Sequence, residues 1–353
     1  MTETSAFPRE ATDVTPEWLS TVLGGTVESV SFEQIGVGVG LLGRLYRLTL
    51  AGDDVPPSVI LKLPTLDEGA RTNVVAPLRF YEKEIAFYRE AAQRTPLSTA
   101  SVYHAEFDDA SGDFVLLLED LVTRRMEDQI AGCPIEDAET AIDALAELHA
   151  HWWNSDSFPG WLPQYSDQPY PLVIAGMYQQ AWPRATEIFG DHLTPAFREF
   201  GERYPALVPW FMENLSFPPF TLCHGDFRLD NLFFGADPSH PALTVVDWQI
   251  CFKGRGGYDV AYFISQSLRT DVRREHEAHL KRRYLDGLAK HGITYDDFGS
   301  DYAKTVAYCF IYAVVSAGQI EVTNERMREL ILSILDRAVA AIEDSKGLDL
   351  LPS

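Results

Sequence analysis

In the run Cys223-His-Gly-Asp-Phe-Arg-Leu-Asp-Asn231, oxygen-bearing side chains stand at a short fixed spacing. Asp226 is a carboxylate that can accept a proton from an attacking hydroxyl. Asn231, five residues on, offers a carbonyl oxygen as a neutral ligand for a hard cation. Asp247 follows the apolar run from Leu243 to Val246, in Thr-Val-Val-Asp-Trp-Gln. It supplies the carboxylate that Mg²⁺ needs, since magnesium prefers one or two carboxylates together with substrate phosphates. An H-G-D-x-x-x-x-N segment followed by an isolated aspartate after a β run is a specific combination: a proton-accepting carboxylate together with two oxygen donors for a hard cation that bridges phosphate oxygens.

Two further features point to phosphate. Gly36-Val-Gly-Val-Gly-Leu-Leu-Gly43 contains a G-x-G-x-x-G match at Gly38, Gly40 and Gly43. A dinucleotide fingerprint requires a helix directly after the glycines, because the helix N-terminus binds the pyrophosphate. Here Arg44 to Leu50 alternates like a strand, so the glycines belong to a strand-turn-strand whose backbone N–H groups can approach phosphates. A glycine-rich hairpin without ligand has the same pattern. Lys62 sits in the apolar run Val-Ile-Leu-Lys-Leu, where a charge needs a reason. It can neutralise nucleotide phosphates if a carboxylate holds it, or it can serve as a charge guarding a sheet edge. Glu84 is the better partner, sharing a helical side with Tyr88, and Glu82 is the weaker one.

The elements that must position these residues fall into two groups. Thr15 to Leu23 is a short helix capped by Thr15, with Pro16 at its first position. Val27 to Ile35, Leu42 to Leu50 and Ser58 to Leu63 read as strands, Leu78 to Ala92 as a helix, and Val102 to Phe107 and Phe114 to Leu118 as two more strands. From Ile135 the chain turns helical, with apolar spacing over Ala138 to Trp153, Pro171 to Phe189 and Thr194 to Asn214. Short strands at Phe220 to Cys223, Leu232 to Phe234 and Leu243 to Val246 bracket the polar loop, and helices occupy Tyr258 to Ile342. A β-rich lobe, an acidic hinge near Glu119 and Asp120, and a larger helical lobe result.

Composition narrows the partners. Among 353 residues, 29 Lys and Arg stand against 52 Asp and Glu, a formal net charge of -23. Such a chain repels phosphate backbones and anionic lipid, which argues against nucleic-acid and membrane-surface roles. The cysteines, Cys133, Cys223, Cys251 and Cys309, have no zinc-like spacing and read as reduced and buried. The N-terminal stretch carries no signal-peptide pattern and no run suffices to span a bilayer, so a cytoplasmic location is expected.

With these motifs in order, the chain resembles the aminoglycoside phosphotransferase and choline kinase superfamily, and within it the ecdysteroid-kinase-like (CHK-kinase-like) branch. The resemblance rests on His224-Gly225-Asp226 through Asn231, on Asp247-Trp-Gln249 and on Tyr258-Asp-Val-Ala-Tyr-Phe263, and extends to Lys62, Glu84 and the hinge ending at Leu121. It implies an α+β, two-lobed, protein-kinase-like fold: an N-terminal antiparallel β-sheet lobe with one key helix (1–118), a hinge (119–123) and a larger, mainly helical catalytic and acceptor-binding lobe (124–353). It implies ATP between the lobes, with adenine near Glu119 to Leu121, Gly38, Gly40, Gly43 and Lys62 toward the phosphates, and Glu84 orienting Lys62. Asp226 is then the catalytic base, and Asn231 and Asp247 hold Mg²⁺. Asp259 resembles the family's buried aspartate that braces the catalytic loop. Asp-Trp-Gln replaces Asp-Phe-Gly, and no Ala-Pro-Glu segment follows, which argues against protein substrates.

The expected activity is phosphoryl transfer from ATP to a small-molecule hydroxyl, with an apolar or amino-alcohol-like acceptor. The alternatives are an antibiotic phosphotransferase for aminoglycosides or macrolides, and a nucleotide-binding pseudokinase acting as an interaction module. The acceptor preference comes from aromatic residues Trp152, Trp153, Trp161, Tyr165, Tyr170, Tyr178, Trp182, Phe189, Trp210 and Phe211, which can form either a pocket wall or core. His149 and His151 point in different directions on a helix and are expected to pack rather than bind metal. Lys281 to Arg283 reads as a solvated face. Arg228 and Asp230 can contact the acceptor or transferring phosphate, or bond within the loop.

Overall fold

The computed structural model describes residues 7–36, 42–319, 322 and 325–352. Two compact units divide the chain: Met1–Arg94 with Thr99–Thr123, and Thr95–Ser98 with Arg124–Ser353. Gly38 and Gly40 lie outside the described residues. No helix among the described residues is long and apolar enough to cross a membrane.

The first unit opens with helix α1 (Pro16–Leu23), where the Thr15 hydroxyl accepts the Trp18 N–H and Gly24, at φ 76°, ends the helix in the left-handed region. Strands β1 (Thr26–Ile35), β2 (Gly43–Asp53), β3 (Ser58–Pro64), β4 (Val102–Asp108) and β5 (Asp113–Glu119) form one antiparallel sheet in the order β1-β2-β3-β5-β4. The alternation of β3 decides which side chains meet. Val59, Leu61 and Leu63 are fully buried in the core beneath α1, so Lys62 between them is presented to the opposite face. That face is covered by helix α2 (Phe80–Ala86), whose Tyr81 ring packs 4.4 Å from Phe114 of β5.

The single helix expected over Leu78 to Ala92 is broken. Arg79 stands at φ 53°, in the left-handed region, and separates a short turn containing Pro77 from α2. Beyond Ala86 the chain continues as a π-helical turn, Phe87–Ala91, and a 3₁₀ turn, Ala92–Arg94. Helical turns also precede the break, from Glu68 to Leu78, so the helical backbone begins ten residues before the apolar periodicity does.

The second unit holds helices α3 (Ile135–His151), α4 (Tyr170–Phe189), α5 (Pro195–Leu215), α6 (Gly257–Ser267), α7 (Thr270–Lys290), α8 (Phe298–Tyr308), α9 (Phe310–Gln319) and α10 (Glu325–Ser345). Among them run four short strands: β6 (Thr221–Cys223), β7 (Leu232–Phe234), β8 (Leu243–Val245) and β9 (Phe252–Gly254). β6 pairs with β9 and β7 with β8, both antiparallel. Every residue of α6 is buried, and the polar side chains of Tyr258, Asp259 and Tyr262 find their partners inside the protein.

An antiparallel sheet with a helix in one unit and a mainly helical second unit is the α+β organisation expected. The aromatic run resolves mostly as core: Trp152, Tyr165, Tyr170, Tyr178, Phe189 and Phe211 are buried, with Tyr165 stacked 3.6 Å from Phe252 and Tyr178 4.4 Å from Tyr204. Trp153, Trp161, Trp182 and Trp210 remain half-buried. The basic cluster on α7 is not simply solvated, because Arg283 pairs with Asp143 at 2.7 Å and Glu139 at 2.9 Å on α3. Its neighbour Lys281 lies 3.8 Å over the Tyr302 ring.

Candidate active site

In the first unit, Lys62 Nζ lies 2.8 Å from the Glu84 carboxylate, with side chains 8% and 1% exposed. A lysine and a glutamate taken out of water this far must neutralise one another, so each fixes the other's position. Glu82 faces outward instead and pairs with Arg79 at 2.6 Å. Gly43 begins β2 beside this pair, and a Cβ there would stand 3.3 Å from Lys62 Cε. At the far end of the sheet Glu119 accepts from Ser101 Oγ at 2.9 Å. Its neighbour Asp120 accepts from Arg47 Nε and Ser58 Oγ, both at 2.7 Å, while Leu121 is buried.

In the second unit, β6 delivers the chain into His224-Gly225-Asp226. Gly225 takes φ +88°, and a Cβ there would fall 2.6 Å from the Ile250 carbonyl oxygen, so the turn admits no side chain. His224 is fully buried. Its Nδ1 accepts the Asp226 N–H at 3.2 Å, which places the ring proton on Nε2, and Nε2 donates to the Val246 carbonyl at 2.9 Å. The imidazole thus ties this loop to the residue preceding Asp247 and has no proton-accepting nitrogen left for chemistry.

The Asp226 carboxylate is held from several sides. Tyr262 donates its hydroxyl to Oδ1 at 2.9 Å, Asn231 donates Nδ2 to Oδ2 at 3.0 Å, and Arg228 Nε lies 3.2 Å from Oδ1. Burial pushes the Asp226 carboxyl up, but the Arg228 guanidinium and the Tyr262 hydroxyl outweigh it and hold it below the ordinary carboxylate value. Arg228 also pairs with Asp230. Burial disfavours its charge, yet the two carboxylates keep it firmly protonated.

Asn231 spends its amide nitrogen on Asp226, bonding both Oδ2 and, at 2.8 Å, the main-chain carbonyl. Its carbonyl oxygen is thereby the atom left to serve a cation. Asp247 stands at φ 64°, ψ 66°, and its Oδ2 accepts from Gln249 Nε2 at 3.3 Å. The left-handed backbone turns the chain sharply after β8, a conformation that costs a non-glycine residue roughly 1–2 kcal/mol and that aspartate tolerates better than most. One carboxylate and one amide oxygen are the hard donors that Mg²⁺ takes, so this pair fits that ion.

Helix α6 carries support that spacing alone did not reveal. Asp259 accepts the His224 N–H at 2.8 Å and the Gly225 N–H at 2.9 Å, which is the bracing its place in the motif implies. His149 of α3 reaches the same carboxylate, with Nε2 3.2 Å from Oδ2 and Nδ1 2.8 Å from the Tyr284 hydroxyl. Ligand atoms of His149, Cys223 and Asp259 lie within 4.8 Å of one another, but the carboxylate oxygens already serve N–H donors, so the cluster is hydrogen-bonded rather than metal-binding. His151 is exposed on the same helix. The sequence signal for Tyr258, Asp259 and Tyr262 is their polarity among the apolar residues Val260, Ala261, Phe263 and Ile264.

The sequence profile of the Ecdysteroid kinase-like family matches residues 41–294. The chain belongs to the ecdysteroid kinase-like family. Solved structures share this family member's fold at low sequence identity. A Ralstonia eutropha protein provisionally assigned as an aminoglycoside phosphotransferase is 16% identical, with a TM-score of 0.55 over 97% of this chain and 99% of its own. The GDP complex of wild-type aminoglycoside 2'-phosphotransferase-IIIa is 14% identical, with a TM-score of 0.51 over 94% and 97%. Choline kinase from Cryptosporidium parvum is 10% identical, with a TM-score of 0.51 over 92% of each chain. Among curated proteins none matches this ecdysteroid kinase-like sequence.

Proposed function

We propose that this family member is an ATP- and Mg²⁺-dependent small-molecule kinase that transfers the γ-phosphoryl group to a hydroxyl. The observation that carries the reading is the treatment of Asp226: an ionised carboxylate fixed by Tyr262, Asn231 and Arg228, on a loop that also presents the Asn231 oxygen. In this reading Asp226 accepts the proton of the acceptor hydroxyl as the oxygen attacks phosphorus. Asn231 and Asp247 would hold Mg²⁺, which when bound neutralises charge on the phosphate oxygens. Lys62, oriented by Glu84, contacts the nucleotide phosphates, with Gly38, Gly40 and Gly43 supplying backbone N–H groups. The adenine lies against backbone at Glu119 to Leu121. Positioning and charge neutralisation account for most of the rate.

The acceptor is of the amino-alcohol or apolar alcohol class. Since most of the aromatic run is core, the support narrows to the half-buried Trp153, Trp161, Trp182 and Trp210. The choline kinase that shares the fold acts on an acceptor of this kind, as its name states. The test is ADP release from MgATP over a panel of sterols, amino alcohols, hydroxy acids, aminoglycosides and macrolides. Turnover with amino alcohols or sterols is the expected result, and turnover only with the antibiotics moves the acceptor class. ATP binding indifferent to Mg²⁺, with no ADP release across the panel, would leave a nucleotide-binding interaction module.

Lys62→Ala should weaken ATP binding about tenfold or more and also lower stability, because the buried Glu84 carboxylate loses the ammonium that neutralises it. The double variant Lys62→Ala with Glu84→Gln separates the two effects. Its thermal midpoint recovers while its ATP affinity, measured calorimetrically, stays low. Recovery of ATP affinity along with stability would count against phosphate contact by Lys62.

A further inference from the structure

We propose that Tyr262 is a positioning residue for the catalytic carboxylate, acting on phosphoryl transfer through Asp226 alone; the proposal rests on the kinase reading above. Three observations carry it. The Tyr262 hydroxyl donates to Asp226 Oδ1 at 2.9 Å, opposite Asn231 Nδ2 at 3.0 Å and Arg228 Nε at 3.3 Å on Oδ2, so Tyr262 balances from one oxygen the two donors on the other and fixes the carboxylate plane. The donor itself is clamped. The Tyr262 ring is 3% exposed and stacks on Tyr312 of α9 with centroids 4.2 Å apart and planes at 17°. The third is register: α6 places Tyr258, Asp259 and Tyr262 against consecutive residues of the loop. Tyr258 donates to the Gly225 carbonyl at 3.3 Å, Asp259 takes the His224 and Gly225 N–H groups, and Tyr262 takes Asp226.

Tyr312 closes the arrangement from the other side, its hydroxyl 3.2 Å from the Gly225 carbonyl. Two helices thus grip the backbone and the side chain of one turn. A buried phenol must spend its O–H on an acceptor, so the Asp226 bond is the state in which the Tyr262 hydroxyl is satisfied. Without it, the remaining side-chain hydrogen bonds to the carboxylate all fall on Oδ2, from Asn231 and from Arg228, which is shared with Asp230. The carboxylate then swings toward the guanidinium and away from the line on which it must meet a hydroxyl proton.

The test is the kinetic cycle of Tyr262→Phe, Asp226→Asn and the double variant, read as ADP release from MgATP with water as the acceptor. Tyr262→Phe deletes one oxygen and keeps the stacked ring, so the thermal midpoint should stay within about 2 °C of the parent. The expected result is a kcat about tenfold lower with KM for MgATP within about twofold, as for a charge-assisted hydrogen bond lost only from the reacting geometry. In the Asp226→Asn background, Tyr262→Phe should cost nothing further, because the group it positions is gone. A kcat within about twofold of the parent, a parallel rise in KM, or an additional loss in the Asp226→Asn background would each overturn the proposal. A parent protein that releases no ADP with water or with any compound of the acceptor panel removes the kinase reading and this proposal together; one that turns over only with a panel compound is read in the same cycle with that compound, and a parent that turns over and is slowed by Asp226→Asn but not by Tyr262→Phe removes only the latter.

Discussion

Asp226→Asn is expected to lower kcat by about a thousandfold while leaving the fold and MgATP binding intact. The size follows from what is removed: a positioned general base contributes roughly 10²–10⁴ in rate. The survival of the fold follows from the surroundings. The asparagine oxygen can still accept from Tyr262 or Asn231, and Arg228, which loses one carboxylate, keeps the other in Asp230. No buried charge is orphaned, so the usual cause of a large stability loss is absent. Steady-state kinetics with the acceptor found by the panel, beside thermal unfolding and calorimetry with MgATP, check all three parts. Turnover within tenfold of the parent would show that the proton leaves by another route.

How much of this site can be read from residues alone depends on how far apart in the chain its parts lie. Asp226 and Asn231 are legible because the loop is contiguous, and the five-residue spacing lets the amide reach both the backbone and the side chain of the aspartate. Lys62 and Glu84 can be matched because a charge in an apolar strand demands a counter-charge on whatever covers that face. Tyr262 and His149 carry no such local sign, although Tyr262 bonds Asp226 itself and His149 reaches Asp259. Their contacts join α6 and α3 to residues far away in sequence, and helical periodicity says only that they face inward.

The aromatic run shows the same limit from the other direction. A buried ring and a pocket-lining ring have identical spacing, so only the stacking of Tyr165 on Phe252 and of Tyr178 on Tyr204 marks these two as core. β9 has no signature in the sequence because three residues are too few to display a period of two. The net charge of -23 excludes little about a nucleotide, itself an anion, because a net charge says nothing of where single cations such as the buried Lys62 stand.

Asp247→Asn should abolish the response to Mg²⁺, with ADP release falling by about a thousandfold or more and ATP binding becoming the same with and without the metal. Asparagine is the informative replacement because the position is left-handed at φ 64°, which asparagine tolerates as well as aspartate does. What changes is therefore the charge, and with it the single carboxylate assigned to the cation, while Asn231 still offers only a neutral oxygen. Alanine would confound the result, since it adds a backbone cost of roughly 1 kcal/mol to the lost ligand. Asp247→Gly provides the reciprocal control: it relieves the backbone, so the unfolding midpoint should hold or rise, yet it restores no ligand and should be as inactive as asparagine. Calorimetric titration of ATP at several Mg²⁺ concentrations decides the matter. If Mg²⁺ still tightens ATP binding to the asparagine variant as it does to the parent, the cation is held elsewhere and Asp247 serves the turn alone.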